Sequence, residues 1–133
     1  MTHDDVQSWL DRYVGAWKAY DANAIGELFT ADAEYRYHPE DEPVRGRAAI
    51  VEDWLNPGGK PARRDAPDTF EAAYSPYAVD DDVAVAVGTT QYWADASRAA
   101  LVRSYFNVYL LAFDEAGRCR SFTEYYMEPR KKA

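Results

Sequence analysis

The C-terminal part of the chain constrains the fold most strongly, because it predicts two long strands joined by a tight turn. Residues 103–113 and 118–129 alternate in side-chain type around the turn Asp114–Gly117, and side chains on a strand point to opposite faces with a period of two. One face carries Arg103, Tyr105, Asn107, Tyr109, Phe122, Glu124 and Tyr126; the other carries Phe106, Val108, Leu110, Thr123, Tyr125 and Met127. The second face is apolar. The first is aromatic with a few hydrogen-bonding groups, which is the composition of a small-molecule pocket.

Length and charge exclude several function classes. The chain has 133 residues, which predicts one domain over residues 1–133, and 47% of them are hydrophobic, which excludes disorder. A net charge of -8 without a sizeable basic cluster argues against nucleic acid as a partner. The longest apolar runs, such as residues 83–87 and 108–113, are far too short to span a bilayer, so no membrane partner is expected.

The N-terminus and the cysteine content indicate a cytoplasmic protein. Acidic residues stand where a signal peptide would carry basic ones, and no apolar segment follows them. The chain has one cysteine, Cys119, which excludes an internal disulfide and fits a reducing compartment.

Hydrophobic periodicity and turn residues predict helices followed by a run of strands. Helices are expected at residues 4–20, 22–29 and 47–55, and strands at residues 33–38, 69–77, 83–93, 99–113 and 118–127. This order predicts an α+β fold in which helices pack on one face of an antiparallel sheet.

A set of short motifs, in order along essentially the whole chain, then carries a resemblance. The motifs are Arg12-Tyr-Val14 with Trp17 and Asp21, Leu28-Phe29, Ala31-Asp32-Ala33, Pro43-Val-Arg-Gly-Arg47 with Ala49-Ile50, Phe113-Asp-Glu-Ala-Gly117 and Phe122-Thr-Glu-Tyr-Tyr126. The chain resembles the nuclear-transport-factor-2-like superfamily, which includes SnoaL-like polyketide cyclases, ketosteroid isomerases and limonene-epoxide hydrolases. The resemblance implies a cone-shaped, cystatin-like fold, in which a curved antiparallel sheet wraps around three N-terminal helices and holds a pocket. It also implies a homodimer through the apolar convex sheet face.

Glu124 is the strongest candidate for chemistry. It lies mid-strand on the aromatic face, and it matches the last-strand aspartate of the epoxide hydrolases. A carboxylate among aromatic rings has its charged form disfavoured and can exchange a proton near neutrality. The alternative is a structural Glu124 paired with Arg103, Arg120 or Arg36.

Three further polar residues are candidate hydrogen-bond donors. Tyr13 stands where the ketosteroid isomerases keep a tyrosine that binds a substrate oxyanion, and Tyr109 stands where they keep a second, acidic donor. Asn107 can orient a carbonyl group or a water molecule. The alternative for Tyr13 is packing within the stripe Trp9–Tyr13–Trp17, and for the other two a buried polar group satisfied by its neighbours.

The register of the strand at residues 33–38 leaves two interpretations open. His38 stands just before Pro39, where the isomerases keep their catalytic aspartate, and is a candidate second base. The spacing from Phe29 to the proline instead matches the epoxide hydrolases, and that alignment points Tyr35 and Tyr37 into the pocket. His38 is then a rim or exposed residue. Further aromatic candidates for ligand contact are Trp17, Trp54, Trp93, Tyr105 and Tyr126, with Phe70 beside them.

No complete catalytic set of any relative is present. The stretch that corresponds to the Arg-x-Asp pair of the epoxide hydrolases offers Thr89 and Gln91, and the isomerase acids are missing. Metal-ligand and phosphate-loop motifs are also missing, so no metal and no cofactor is expected. The sequence therefore predicts a pocket for a small, largely apolar, oxygen-bearing molecule. Catalysis there would be cofactor-free acid–base chemistry of the isomerase, cyclase, dehydratase or hydrolase kind. The alternative is a non-catalytic ligand-binding or protein-association domain.

Overall fold

The computed structural model describes residues 1–131 as three helices packed against one six-stranded sheet. The helices are α1 (His3–Ala19), α2 (Ala22–Glu27) and α3 (Arg47–Leu55), and two short 3-10 turns, Pro57–Gly59 and Pro61–Arg63, follow α3. The strands are β1 (Phe29–Arg36), β2 (Val44–Arg45), β3 (Phe70–Asp80), β4 (Val83–Trp93), β5 (Leu101–Phe113) and β6 (Cys119–Met127). Three helices and one curved sheet confirm the predicted α+β fold class.

The sheet order is β2-β1-β6-β5-β4-β3, and one of its pairings differs from the wholly antiparallel prediction. β1 runs parallel to β6, whereas the other neighbouring strands are antiparallel. A parallel pair needs a long crossover connection, and here everything between β1 and β6 in the chain supplies it. The sheet is therefore mixed, with β6 in its middle.

β1 begins earlier and ends earlier than predicted. The stretch Thr30–Asp32, whose composition is typical of a turn, lies inside β1, where the register against β6 shifts between Phe29 and Glu34. An irregularity of this kind tolerates turn-like residues within a strand. β4 and α3 have the predicted bounds, while the two-residue β2 was not predicted.

α1 is held at its N-terminus by a reciprocal capping box. The Asp5 amide donates to Thr2 Oγ1 (3.0 Å) and the Thr2 amide donates to Asp5 Oδ2 (2.9 Å). The apolar stripe of the helix is buried against the sheet, and Trp9 Nε1 donates to the Leu28 carbonyl (3.0 Å). This packing fixes the rotation of α1 and points Tyr13 and Trp17 towards the space between helix and sheet.

The outer face of β5 and β6 is exposed and apolar. Its members are Phe106, Val108, Leu110, Tyr125 and Met127, with Phe106 52% and Met127 57% exposed. The inner face of the same strands, with Tyr109, Leu111 and Phe122, is buried in the core. Within residues 1–131, none of the helices combines the length and apolar character needed to cross a bilayer.

Candidate functional site

A cavity of about 400 Å³ opens between α1, α3 and the concave face of the sheet. This volume lies in the usual range of small-molecule pockets. The predicted residues that line it are Tyr13, Trp17, Tyr35, Tyr37, Trp54, Tyr105, Asn107, Tyr109, Glu124 and Tyr126. The aromatic face of the closing strands and the stripe on α1 thus form two walls of one pocket.

Glu124 is a partly buried carboxyl group in the aromatic wall of this cavity. It pairs with Tyr109 across β5 and β6, so it faces inward with that ring. Burial raises its pKa to about 7, while a hydrogen bond from Asn107 and the nearby His38 act in the opposite direction. A carboxyl group with this pKa is present in both protonation states at neutral pH.

The three arginines considered as partners of Glu124 contact other groups. Arg36 pairs with Glu34 (3.5 Å), and Arg120 pairs with Asp82 (3.0 Å). The Arg103 guanidinium lies over the Tyr92 ring, 4.4 Å from its centroid. Among residues 1–131, Glu124 forms no salt bridge. Within this part of the chain, no ion pair therefore offsets the cost of burying its charge.

The Glu124 carboxylate is the end of a hydrogen-bonded chain that crosses the sheet. Asn107 Nδ2 donates to Glu124 Oε2 (2.8 Å), and Thr90 Oγ1 donates to Asn107 Oδ1 (2.8 Å). The Tyr74 hydroxyl bonds to the Thr90 hydroxyl. Because the single Thr90 proton is used towards Asn107, Tyr74 is the donor in this last bond.

Tyr13 and Tyr35 meet at the inner end of the cavity. Their hydroxyl oxygens are 2.9 Å apart, and the two residues are only 5% and 2% exposed. Burial raises the pKa of both phenols well above the ordinary value, so both keep their protons at neutral pH. Tyr109, whose pKa burial also raises, packs its ring 5.8 Å from Tyr13.

The mouth of the cavity is more polar than its inner end. Tyr37 donates its hydroxyl proton to Asp53 Oδ2 (2.6 Å). Trp17 Nε1 and the Tyr20 hydroxyl both donate to Asp65 Oδ2 (3.0 and 3.2 Å). The loop that carries Asp65 is thereby tied to the end of α1, where the left-handed conformation of Tyr20 (φ 47°) caps the helix.

The sequence left open whether His38 or the pair Tyr35 and Tyr37 faces the pocket, and in the structure the two tyrosines line the cavity whereas His38 does not. β1 ends at Arg36, two residues before His38, so alternation within the strand does not fix the direction of the His38 ring. Its Nδ1 bonds to Asp41 Oδ2 and its Nε2 to the Tyr126 hydroxyl, both at 2.9 Å. His38 therefore reaches the site through Tyr126, which does line the cavity.

Trp93 is also absent from the cavity wall, contrary to prediction. It follows Tyr92 at the end of β4, where the register against β5 shifts, and it faces away from the pocket. The Arg98 guanidinium lies over its ring, 4.6 Å from the centroid. Tyr92 takes the place in the wall that was assigned to Trp93. Phe70 stacks on Trp17 behind the wall, with ring centroids 4.1 Å apart.

Several lining residues were not predicted. They are Tyr20, Asp53, Pro57, Arg63, Asp65, Tyr74, Thr90 and Tyr92. Period-two alternation on β4 places Thr90 and Tyr92 on one face and excludes Trp93, so a signal for these two was present. Arg63 ends the second 3-10 turn and Asp65 lies in the irregular loop after it, where no sequence pattern indicates the direction of a side chain. Among residues 1–131, no group of three His, Cys, Asp or Glu side chains is arranged to hold a metal ion.

Comparison with known proteins supports the family and the fold. The family model described as the SnoaL-like domain matches residues 10–118. A solved NTF-2 like protein of unknown function from Burkholderia xenovorans is similar, with a TM-score of 0.66 and 18% identity over 98% of this chain and 88% of the other.

A second solved structure shows the same fold. It is an NTF2-like protein with a cystatin-like fold from Novosphingobium aromaticivorans, with a TM-score of 0.63 and 23% identity over 91% of this chain and 79% of the other. At these identities the likeness concerns the fold alone. No protein of curated function matches the sequence significantly.

Proposed function

Since the chain belongs to the SnoaL-like domain family, we propose that its cavity binds a small, largely apolar, oxygen-bearing molecule and that Glu124 transfers a proton on it. SnoaL-like domains bind small molecules, and some are isomerases or cyclases. The ligand class follows from the wall, which is mostly aromatic and has its hydrogen-bonding groups at defined points. The reaction class is cofactor-free acid–base chemistry of the isomerase, cyclase, dehydratase or hydrolase kind.

One observation carries this proposal: Glu124 faces the cavity with a pKa of about 7 and no salt bridge among residues 1–131. A carboxyl group that only stabilises a fold is usually paired or exposed to water. A general base works best when its pKa is near the operating pH. Glu124 satisfies both the positional and the energetic requirement of a proton-transfer group.

The neighbouring hydroxyls supply the second half of the chemistry. When Glu124 removes a proton from a ligand carbon or hydroxyl, negative charge develops on a ligand oxygen. In the Tyr13–Tyr35 pair one hydroxyl donates to the other, so one proton of the pair remains free to be donated to that oxygen. Tyr109 lies beside this pair and is the second candidate donor. The protonated Glu124 then returns its proton to the product.

A turnover screen with two variants tests the proposal. Apolar ketones, enols, lactones and epoxides are incubated with the wild-type protein and followed by ¹H NMR. We expect at least one compound to be converted, and Glu124→Gln to lower that rate by about 10²–10⁴-fold, the usual effect of a general acid–base group. Glu128→Gln, an exposed carboxyl just after β6, is the control and should leave the rate unchanged. An undiminished rate in Glu124→Gln would exclude the catalytic role.

The alternative function is a non-catalytic ligand-binding or protein-association domain. It is favoured by the missing Arg-x-Asp pair, whose place holds Thr89 and Gln91. This alternative predicts that compounds bind in the cavity without conversion by either protein. Glu124→Gln would then change only their binding affinity.

A homodimer through the apolar outer face of β5 and β6 is part of the proposal. Five large apolar side chains lie exposed together on these two paired strands. A patch of this kind on a small protein marks an interaction surface, and a closed two-fold pairing is the commonest way to cover one. The second copy of this chain is the proposed occupant.

A cytoplasmic location completes the proposal. Cys119 is fully buried and its Sγ donates to the Ser121 carbonyl (3.2 Å). Burial raises the pKa of this thiol to about 12, so it is not a reactive group. With one cysteine the chain cannot form an internal disulfide, so an oxidising compartment would supply no stabilising crosslink within it.

A further inference from the structure

Four consecutive strands of the sheet each contribute one side chain to the hydrogen-bonded chain that ends at Glu124. They are Tyr74 from β3, Thr90 from β4, Asn107 from β5 and Glu124 from β6. We propose that Thr90, backed by Tyr74, is a positioning residue that fixes which end of the Asn107 amide faces Glu124. A contribution of Thr90 to catalysis depends on the function proposed above, whereas its effect on the orientation of the Asn107 amide does not.

The strand register explains why these side chains meet. Gly88 is directly opposite Tyr74 on β3 and Asn107 on β5, and Thr90 lies two residues further along β4. Thr90 is thus the diagonal neighbour of both residues on the same face, and diagonal neighbours are within reach of hydrogen-bonding side chains. Glu124 is opposite Tyr109 and likewise diagonal to Asn107.

Gly88 provides the space for this crossing. A Cβ atom at position 88 would lie 2.0 Å from the Ala73 carbonyl oxygen and 2.5 Å from Cδ1 of Tyr74. The Tyr74 ring therefore occupies the volume that a side chain at position 88 would fill. With the ring there, its hydroxyl reaches Thr90.

The donor-to-acceptor direction of these hydrogen bonds determines which protonation state of Glu124 they stabilise. A primary amide has an acceptor oxygen at one end and a donor nitrogen at the other. Thr90 donates to Oδ1, which leaves Nδ2 to donate to Glu124. The reversed amide would place Oδ1 against Glu124, and two oxygens can approach only if the carboxyl group is protonated. The observed orientation therefore favours the carboxylate.

The Thr90 hydroxyl and the Asn107 amide are both shielded from bulk water. Thr90 is 2% and Asn107 5% exposed, so loss of the hydroxyl leaves the amide oxygen without a donor. The amide is then held in its present orientation only by its bond to Glu124. We therefore expect the pKa of Glu124 to rise, so that a larger fraction of its carboxyl group is protonated at neutral pH.

The other ionisable groups around Glu124 would not produce the rise in its pKa that is expected when the Thr90 hydroxyl is lost. The tyrosines that interact with its charge come from one helix and four strand segments: Tyr13 of α1, Tyr35 and Tyr37 of the β1 segment, Tyr74 of β3, Tyr92 of β4 and Tyr109 of β5. Burial raises the pKa of each of them, so they stay neutral near pH 7. The cavity wall also contains the ionisable side chains of Asp53, Arg63 and Asp65. The charge of His38 lowers the pKa of Glu124. The titrations are therefore repeated in proteins that also carry His38→Asn, where this contribution is absent.

The test is a ¹³C NMR titration of the glutamate side-chain carboxyl carbons in the ligand-free protein, with Glu124→Gln to assign the signal. In Thr90→Val we expect the pKa of Glu124 to rise by about one unit, since a hydrogen bond to a charged group is lost. The ionised fraction at pH 7 would fall from about one half to about one tenth. Thr90→Ser, which keeps the hydroxyl, should titrate like the wild type. Tyr74→Phe should give a smaller rise, because Thr90 retains its own proton.

An unchanged pKa of Glu124 in a folded Thr90→Val variant would overturn the inference, and so would an equal rise in Thr90→Ser. If Thr90→Val does not fold, Thr90→Ala removes the same hydroxyl and is judged by the same criterion. Because no ligand takes part, the result is independent of turnover. A shifted pKa without any turnover would refute the proposed function alone, and turnover without a shift would refute the role of Thr90 alone.

Discussion

The hydroxyl oxygens of Tyr13 and Tyr35 lie 2.9 Å apart in a part of the cavity where both side chains are buried. One residue belongs to α1 and the other to β1, so the bond joins the helical layer to the sheet at the inner end of the pocket. It has a structural and a chemical consequence. It stabilises the packing of α1 on the sheet, and it leaves one phenolic proton for a ligand.

Removing one hydroxyl of this pair should weaken the fold measurably. Tyr35→Phe deletes the bond and leaves the Tyr13 hydroxyl without this partner. We expect the free energy of unfolding in urea to fall by about 1–2 kcal/mol, as for other buried hydrogen bonds. Tyr77→Phe, on β3 and 75% exposed, is the control and should change it by less than about 0.5 kcal/mol. Equal stability of Tyr35→Phe and the wild type would show that the pair does not stabilise the fold.

The pKa of Glu124 makes stability depend on pH with a defined sign. Burial raises it from 4.5 to about 7, so the folded state binds this proton more tightly than the unfolded state. The stabilisation is fully present below about pH 4.5 and is lost as the pH rises through about 7. Between pH 4 and pH 8 the wild type should lose on the order of 2–3 kcal/mol relative to Glu124→Gln, which cannot titrate.

Urea unfolding of both proteins at several pH values measures this difference. Other carboxyl groups titrate equally in the two proteins and cancel in the comparison. A difference in stability that stays constant from pH 4 to pH 8 would contradict the raised pKa.

Gly88 should not tolerate a side chain. In Gly88→Ala the new Cβ meets the Ala73 carbonyl oxygen and the Tyr74 ring at distances no real contact allows. We expect a loss of about 1–3 kcal/mol in the free energy of unfolding, the usual cost of overpacking, together with displacement of Tyr74 from Thr90. Gly15→Ala in α1 is the matched control, because a Cβ atom added at position 15 would have no neighbour within 4 Å. That change should be neutral or stabilising by up to about 1 kcal/mol.

The homodimer can be tested by one charge on the outer face. The wild type should sediment as a dimer at micromolar concentration, and Val108→Asp, in the middle of β5, should shift it to monomer because an unpaired charge is costly to bury. Ala116→Asp, in the exposed turn after β5, carries the same charge and should remain dimeric. A monomeric wild type would refute the dimer.

The parts of the fold that follow local patterns could be predicted from the sequence. α3 and β4 have the predicted bounds, because Gly46 and the turn at residues 80–82 mark their starts clearly. β1 was predicted too short, since Thr30–Asp32 has turn-like residues that a bulged strand accepts. The parallel pairing of β1 with β6 depends on contacts between distant segments, which alternation within one strand does not reveal.

The residues of the candidate site likewise fall into those that local patterns predict and those that they do not. Period-two alternation placed Asn107, Tyr109 and Glu124 on one face, and the structure has all three in the cavity wall. The same rule, applied to β4, would have chosen Tyr92 over Trp93. The contacts of Asp65 depend on the path of a loop. The link from Thr90 to Asn107 depends on strand register, and neither can be read from the sequence of a single segment.

The proton affinity of Glu124 is measured most directly by the ¹³C NMR titration of its carboxyl carbon in the wild-type protein without ligand. Glu124→Gln identifies the signal by its loss, and exposed Glu128 serves as an internal reference. A pKa of about 7 for Glu124 is the predicted result. A pKa near the ordinary 4.5 would contradict its role as the proton-transfer group of this cavity.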